Sequence, residues 1–161
     1  MSRDAVCLGL MWILRARRAC GNLRGLITTK GFHMKVFRGR QESVPSELRE
    51  ATFTGTVWSD PVMPAMDGVM VGNVFFSPMG RTHWHWHERG QVLHVSAGKG
   101  WICKDGESPQ EIRAGDVVWI GPGERHWHGA AAGSFMIHMA YTLGKTNWQD
   151  PVTDPQYPQA D

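Results

Sequence analysis

Three histidines alternating with tryptophans, His83-Trp84-His85-Trp86-His87, form the stretch of this sequence best suited to chemistry. Successive side chains of an extended strand point to opposite faces, so we expect the histidines to share one face and the tryptophans the other. Imidazole is the commonest metal-binding side chain near neutral pH. Two imidazoles at positions i and i+2 of a strand can converge on one ion, and the stretch therefore predicts part of a metal site.

A second pair of histidines, His126 and His128, lies further along the chain. Gln91 follows His87 across a short turn, and its amide oxygen can return to the same point. Three imidazoles (His85, His87 and His126) and this amide oxygen would leave one or two coordination positions open, as in catalytic metal sites. Nitrogen and oxygen donors without a thiolate fit Mn, Fe, Co, Ni or Zn, and the spacing does not choose among these metals.

The elements that must position these residues are strands. From Ala51 onward, short apolar segments alternate with turn residues, which is the pattern of an all-β sandwich or barrel. Roughly nine strands and no helix in the body indicate a small barrel or a two-sheet jelly roll. We expect Pro61 and Pro64 to break an early strand, and Ala97-Gly98-Lys99-Gly100 to form a hairpin turn.

Both ends of the chain differ from this body, which we assign to residues 41–145. Residues 1–40 hold nine of the seventeen Lys and Arg residues and one acid, Asp4. We interpret them as a basic extension, disordered or helical. Residues 1–33 are either an organelle presequence or a stretch that precedes a native start at Met34. Residues 146–161 form a polar tail containing Pro151, Pro155 and Pro158, which we expect at the surface or partly disordered.

Composition excludes several classes of protein. Without its extension the body is mildly acidic, which argues against nucleic acid as a partner. No apolar run approaches the roughly 20 residues that span a bilayer. The scattered Cys7, Cys20 and Cys103 do not make a disulfide framework, which favours a reducing compartment and a cytoplasmic protein. Tryptophans on the outer face of a small barrel predict association into a homodimer or homotetramer. We expect the interior of the barrel to bind a small molecule.

The paired motifs resemble those of a small single-domain cupin. The first motif is matched by Gly80, His85, His87, Gln91 and Gly98, and the second by Gly115, Gly123 and His126. Gly80 is one residue closer to the histidines than is usual, Gly121 stands where proline is usual, Ala130 replaces an asparagine, and Gln91 replaces a glutamate. The resemblance covers about residues 51–145 and implies a cupin jelly-roll barrel.

A finer resemblance is to the bacterial manganese cupins that act as hydroxynitrile lyases. It is carried by Arg81–Gln91, by Gly115–Ala130, by Phe53-Thr54-Gly55-Thr56-Val57, and by Met136 and His138. The resemblance implies that His85, His87, Gln91 and His126 bind one divalent metal ion, with manganese as the expected metal. It also implies that His128 and His138 lie in the pocket.

Gln91 would set the chemistry of such a site. A neutral amide leaves the full charge of the metal to polarise a hydroxyl, a carbonyl or a small anion, which favours Lewis acid work. Cleavage of a cyanohydrin also needs a base for its hydroxyl proton, and His128, His138 or His83 can serve. Two alternatives stay open: a metal-dependent dioxygenase or decarboxylase, and a cupin that binds a metal or small ligand without catalysis.

Overall fold

The computed structural model describes residues 34–39 and 43–159. The chain divides into two compact units, Met1–Lys35 and Val36–Asp161, and every element below belongs to the second. The extension assigned to residues 1–40, with its predicted disorder or helix, lies mostly outside the described residues. In the described part, no helix is long and apolar enough to cross a membrane.

The described part of the second unit is built from strands, which confirms the predicted all-β class. The longest, β7, has 14 residues, and a three-residue 3-10 helix, Asp154–Gln156, follows the last strand. The strands are β1 Glu47–Leu48, β2 Phe53–Thr54, β3 Val57–Met66, β4 Val69–Phe76, β5 Arg81–Thr82, β6 His85–His87, β7 Gln91–Lys104, β8 Gln110–Arg113, β9 Val117–Ile120, β10 His126–Ala130, β11 Met136–Leu143 and β12 Thr146–Trp148.

The strands form two antiparallel groups that share β7. Its first half pairs with β9 and β11, which continues through β4 and β3 to β1. Its second half pairs with β8 and β10, and β10 contacts β5 and β6. Strands β2 and β12 complete this second group beside β5 and β6. The sheet therefore curls around a space that both groups line.

Gly98 lies where β7 passes from one group to the other, so the hairpin turn predicted at Ala97–Gly100 is wrong. The pairing register of β11 against β7 shifts close by, between Ile137 and His138, which lie opposite Ala97 and Val95. Gly98 has a φ of +72°, and a Cβ on it would lie 1.9 Å from the carbonyl oxygen of Phe135. Glycine is required here because it bends a continuous strand against a neighbouring backbone.

Pro61 and Pro64 do not break the strand as predicted, because both lie inside β3. On one side β3 pairs with β1 only at Trp58 and Ser59, so beyond those residues this edge has no paired strand among the described residues. On the other side the register against β4 shifts around Met63. Proline is tolerated at a strand edge and at a bulge, since neither requires its missing N–H.

The C-terminal tail is packed, contrary to the expectation for residues 146–161. Strand β12 pairs with β6, and Val152 and Tyr157 are almost fully buried. The Tyr157 hydroxyl donates to the carbonyl of Ala130 at 2.7 Å. The Arg81 guanidinium donates to the carbonyl of Val152 at 3.0 Å and to the carboxylate of Asp154. A polar and proline-containing segment is thus anchored by a few buried side chains.

Two larger apolar clusters and a small one, formed by Leu93, Ile120 and Ala140, lie in the described part of the unit. The first joins strands of both groups and contains Val57, Phe76, Val95, Ile112, Ala130 and Met136. The second lies under the tail and contains Trp84, Cys103, Trp127, Val152 and Tyr157. Trp84 and Trp127 pack edge to face, with ring centroids 6.3 Å apart. These two tryptophans therefore have a packing role within the chain.

Candidate metal and catalytic site

Both histidine pairs lie side by side in the structure. Strands β6 and β10 are antiparallel, and His85 lies opposite His126. The ring centroids of these two residues are 4.2 Å apart, and that of His87 lies 5.0 Å from His85. The four side chains His85, His87, His126 and His128 are all at least 97% buried. Four imidazoles are thus held together away from solvent.

A metal ion can be held by this cluster. Ring nitrogens of His85, His126 and His128 all lie within 4.8 Å of one another. His87 is not in that triad, although its ring centroid is 5.5 Å from that of His126. The triad therefore overlaps the ligand set implied by the sequence at His85 and His126.

Backbone carbonyls fix the orientation of two of the imidazoles. Nδ1 of His85 is 2.9 Å from the carbonyl oxygen of His83, and Nδ1 of His126 is 2.8 Å from that of Glu124. A carbonyl can only accept, so each Nδ1 carries the proton and donates it. The Nε2 of each ring consequently carries a lone pair, as a metal ligand must.

His87 and Gln91 are oriented by threonine hydroxyls. Nδ1 of His87 is 3.0 Å from Oγ1 of Thr146, and the Gln91 amide nitrogen donates to Oγ1 of Thr142 at 3.0 Å. The remaining polar atoms, His87 Nε2 and Gln91 Oε1, are buried without a hydrogen-bond partner, and so is His126 Nε2. Buried polar atoms are rarely left unpaired. These unpaired acceptors fit a cation, so the donor set passes this test for a metal.

His128 and His138 form a buried pair beside the cluster. His138 Nε2 lies 3.2 Å from His128 Nδ1, and both rings pack on Phe76. His128 Nε2 and His138 Nδ1 have no hydrogen-bond partner. The backbone N–H of His128 donates to Oγ1 of Thr82 at 3.1 Å, which fixes the position of β10 at this point.

Burial keeps these imidazoles neutral. It lowers the pKa of His87, His126 and His138 to about 4, and neighbouring His126 acts in the same direction on His87. The pKa values of His85 and His128 also fall well below the usual range, first because of burial and then because of adjacent histidines. Neutral imidazole is the form that binds metal and accepts a proton.

His83 does not join the cavity, so its predicted place on the shared histidine face is wrong. The backbone leaves the extended strand at His83 and Trp84, between β5 and β6. This break ends the alternation that the prediction assumed. The His83 side chain is only half-buried, and the residue contributes its carbonyl oxygen to His85 instead.

The cluster opens into a cavity of about 240 Å³. Its polar lining residues include Thr82, His85, His87, Gln91, His128 and His138. Its apolar lining residues include Phe53, Met63, Val74, Phe76 and Trp148. His126 is not among the lining residues. This lining suits a small and mostly apolar molecule with one polar end directed at the histidines.

Sequence reasoning missed the contribution of β12. Thr146 and Trp148 line the cavity beside His87 and His85. Their alternation around Asn147 has the period of a strand with one buried face. That signal could have identified them, but it is short and lies in a polar segment.

Fold and site together define a small all-β barrel protein whose curled sheet encloses a histidine-lined cavity able to hold a metal. Residues 73–139 match the family described as a cupin domain. A relative named (R)-mandelonitrile lyase, from Granulicella tundricola, is 49% identical over 111 residues, which are 65% of this chain and 85% of the relative. The chain therefore belongs to the cupin family.

Solved structures agree with this assignment. A cupin-like protein from Thermotoga maritima is similar with a TM-score of 0.68 and 32% identity, over 74% of this chain and 97% of that protein. A polyketide cyclase from Streptomyces resistomycificus has a TM-score of 0.61 and 20% identity, over 79% of this chain and 91% of that protein. The second likeness is one of fold alone.

Proposed function

We propose that this protein is a manganese-dependent lyase that cleaves cyanohydrins of small, largely apolar carbonyl compounds. The observation that carries the proposal is that unpaired buried polar atoms and the His128–His138 pair lie together at a cavity that apolar residues also line. The 49% identity to a protein named as a mandelonitrile lyase supports the same reaction.

The metal would be held by His85, His87, Gln91 and His126. Each of these side chains has one polar atom tied to the protein: His85 and His126 to carbonyls, and His87 and Gln91 to threonines. When bound, a divalent ion would act there as a Lewis acid toward a hydroxyl oxygen or a departing anion. The neutral amide of Gln91 would leave the charge of that ion undiminished.

The apolar wall would bind the organic part of the substrate. Phe53, Val74, Phe76 and Trp148 present aromatic and aliphatic surface to the cavity. Burial of a ring or alkyl group against them would exclude water and leave the hydroxyl and nitrile groups near the polar lining residues. A cavity of about 240 Å³ limits the substrate to a small molecule.

His128 would accept the hydroxyl proton. Burial lowers the pKa of His128, so its ring is neutral at neutral pH. Its Nε2 has no partner and can accept a proton in the tautomer that carries its hydrogen on Nδ1. Transfer of the cyanohydrin proton to Nε2 accompanies formation of the carbonyl double bond. The carbon–carbon bond to the nitrile breaks, and cyanide leaves with the electron pair. The proton then passes from His128 to cyanide, so that hydrogen cyanide and a carbonyl compound are released.

His138 would stabilise the protonated state of His128. With Nε2 of His128 acting as the base, its Nδ1–H donates to Nε2 of His138 at 3.2 Å. A hydrogen bond from a charged imidazolium is stronger than one from the neutral ring. His128 would thus transfer the proton, and His138 would stabilise the protonated ring of His128.

Replacement of His128 by phenylalanine tests this assignment. We expect the variant to keep its bound manganese while mandelonitrile cleavage falls by about 10²-fold or more, the usual size of a general-base contribution. His94→Phe is the matched control, because His94 is exposed on β7. Unchanged cleavage in His128→Phe would refute the role of His128. Stoichiometric metal in the wild type with no turnover of mandelonitrile would instead favour a binding protein.

A further inference from the structure

Strand β12 lies directly beside the strand that carries two of the proposed metal ligands. Thr146 is opposite His87, and Trp148 is opposite His85. Backbone hydrogen bonds extend this pairing beyond both ends of β12, to Lys145 at 2.9 Å and Asp150 at 3.0 Å. Directly paired residues of neighbouring strands point to the same face. Thr146 and Trp148 therefore face the cavity together with the two histidines.

Thr146 determines which nitrogen of His87 is available. The other two imidazoles of the proposed ligand set donate to carbonyls, which fixes their tautomers. Only a hydroxyl, 3.0 Å away, contacts His87 Nδ1. In the structure Nδ1 of His87 has a hydrogen-bond partner and Nε2 has none, so a proton is paired on Nδ1 and unpaired on Nε2. The arrangement favours Nδ1–H donating to Thr146 Oγ1, which leaves the Nε2 lone pair free.

Trp148 packs against the imidazole ring of His85. The two ring centroids are 4.5 Å apart, with an interplanar angle of 33°. Phe53 packs against the indole of Trp148, with ring centroids 5.4 Å apart. His85 is therefore held by its hydrogen bond to a carbonyl at one edge and by an aromatic surface across its face.

We propose that β12 is a positioning element of the metal site, in which Thr146 sets the tautomer of His87 and Trp148 sets the ring plane of His85. The inference rests on the metal site proposed above, but not on the reaction. It extends the functional unit beyond residues 73–139, the part that matches the family. In this role Thr146 and Trp148 act through the histidines and are positioning residues, and Trp148 also belongs to the apolar lining of the cavity.

Metal binding by purified variants tests the inference without any assay of turnover. The chain is stripped with a chelator and titrated with Mn²⁺ and with Co²⁺, whose visible spectrum reports coordination geometry. Thr146→Val keeps the shape of threonine and removes the hydroxyl. We expect its metal affinity to fall about tenfold or more, as for other partners of metal-binding histidines. Thr146→Ser should restore binding to near the wild-type value.

Trp148 is tested in the same titration. Trp148→Leu removes the aromatic surface, and we expect a changed Co²⁺ spectrum and weaker binding, whereas Trp148→Phe should keep the wild-type spectrum. Asn147→Ala is the matched control for both residues, because Asn147 is exposed on the same strand. Its metal affinity and spectrum should equal those of the wild type.

Nitrogen NMR of the metal-free chain gives a second readout. The spectrum of wild type should show His87 protonated at Nδ1, and Thr146→Val should show a mixture of tautomers, with His87→Gln used for assignment. Wild-type affinity, spectrum and tautomer in Thr146→Val would overturn the inference, and so would a wild-type chain that binds neither ion. A wild-type chain that binds metal but does not cleave mandelonitrile would refute only the proposed lyase activity.

Discussion

Replacing Gln91 by glutamate would separate metal binding from catalysis. Gln91 is 4% exposed, and its amide nitrogen donates to Thr142. A carboxylate of the same length keeps the ligand oxygen and adds one negative charge. Two unit charges about 4 Å apart attract by about 4 kcal/mol at an effective dielectric constant of about 20. Desolvation of the carboxylate offsets part of this gain.

We therefore expect opposite effects on affinity and on turnover. Manganese affinity should rise by at least about tenfold, which corresponds to about 1.4 kcal/mol. The partly neutralised site would polarise the substrate less, and a loss of about 2–3 kcal/mol of transition-state stabilisation would lower kcat by roughly 30- to 150-fold. The metal-free variant should be about 1–3 kcal/mol less stable, because a carboxylate buried without a cation is costly to desolvate.

Metal titration and mandelonitrile cleavage at saturating manganese measure the two effects on the same sample. Gln91→Leu is the matched control, since it removes the ligand oxygen without adding charge and should weaken metal binding. A Gln91→Glu variant that retains manganese and cleaves mandelonitrile as fast as the wild type would refute the charge argument.

Three further outcomes follow from the structure. The metal-free protein should lose stability as the pH falls from about 6.5 to 4, because the unfolded chain binds protons that the folded chain excludes. A buried imidazole such as His138 should contribute up to about 3 kcal/mol to this loss. A free energy of unfolding that does not change with pH in urea unfolding would contradict this. Tyr157→Phe should lower the free energy of unfolding by about 1–2 kcal/mol, since the carbonyl of Ala130 loses its buried donor. An unchanged urea midpoint would show that the hydroxyl does not anchor the tail. Trp119 is 60% exposed on β9 and is our candidate for the predicted subunit interface. Trp119→Glu should therefore convert a homodimer or homotetramer into monomers, as measured by light scattering. A wild type that is already monomeric would refute the predicted association.

Much of the fold could be predicted because apolar segments and turns alternate along the body. Strands such as Gln110–Arg113 and Val117–Ile120 are short segments of this kind. The errors occur where a glycine or a proline lies within a strand instead of ending it. Gly98 looks like a turn residue in sequence, but its role depends on Phe135, a neighbour in space that local patterns do not identify.

The histidine cluster was also foreseeable, because alternation on a strand places His85 and His87 on one face. The break at His83 was not, since alternation alone does not show where a strand stops. Thr146 and Trp148 escaped notice for a related reason. Their roles come from pairing between β12 and β6, and the segment around them has too few apolar residues to predict a buried strand.

The central claim is that the buried imidazoles bind a metal on which cyanohydrin cleavage depends. The most direct test is elemental analysis of the purified protein combined with mandelonitrile cleavage, before and after chelation, for the wild type and for His126→Ala. The account predicts close to one manganese per chain, cleavage that chelation abolishes and manganese restores, and neither metal nor cleavage in His126→Ala. Cleavage that persists in the metal-free wild type, or His126→Ala with undiminished metal and activity, would contradict it.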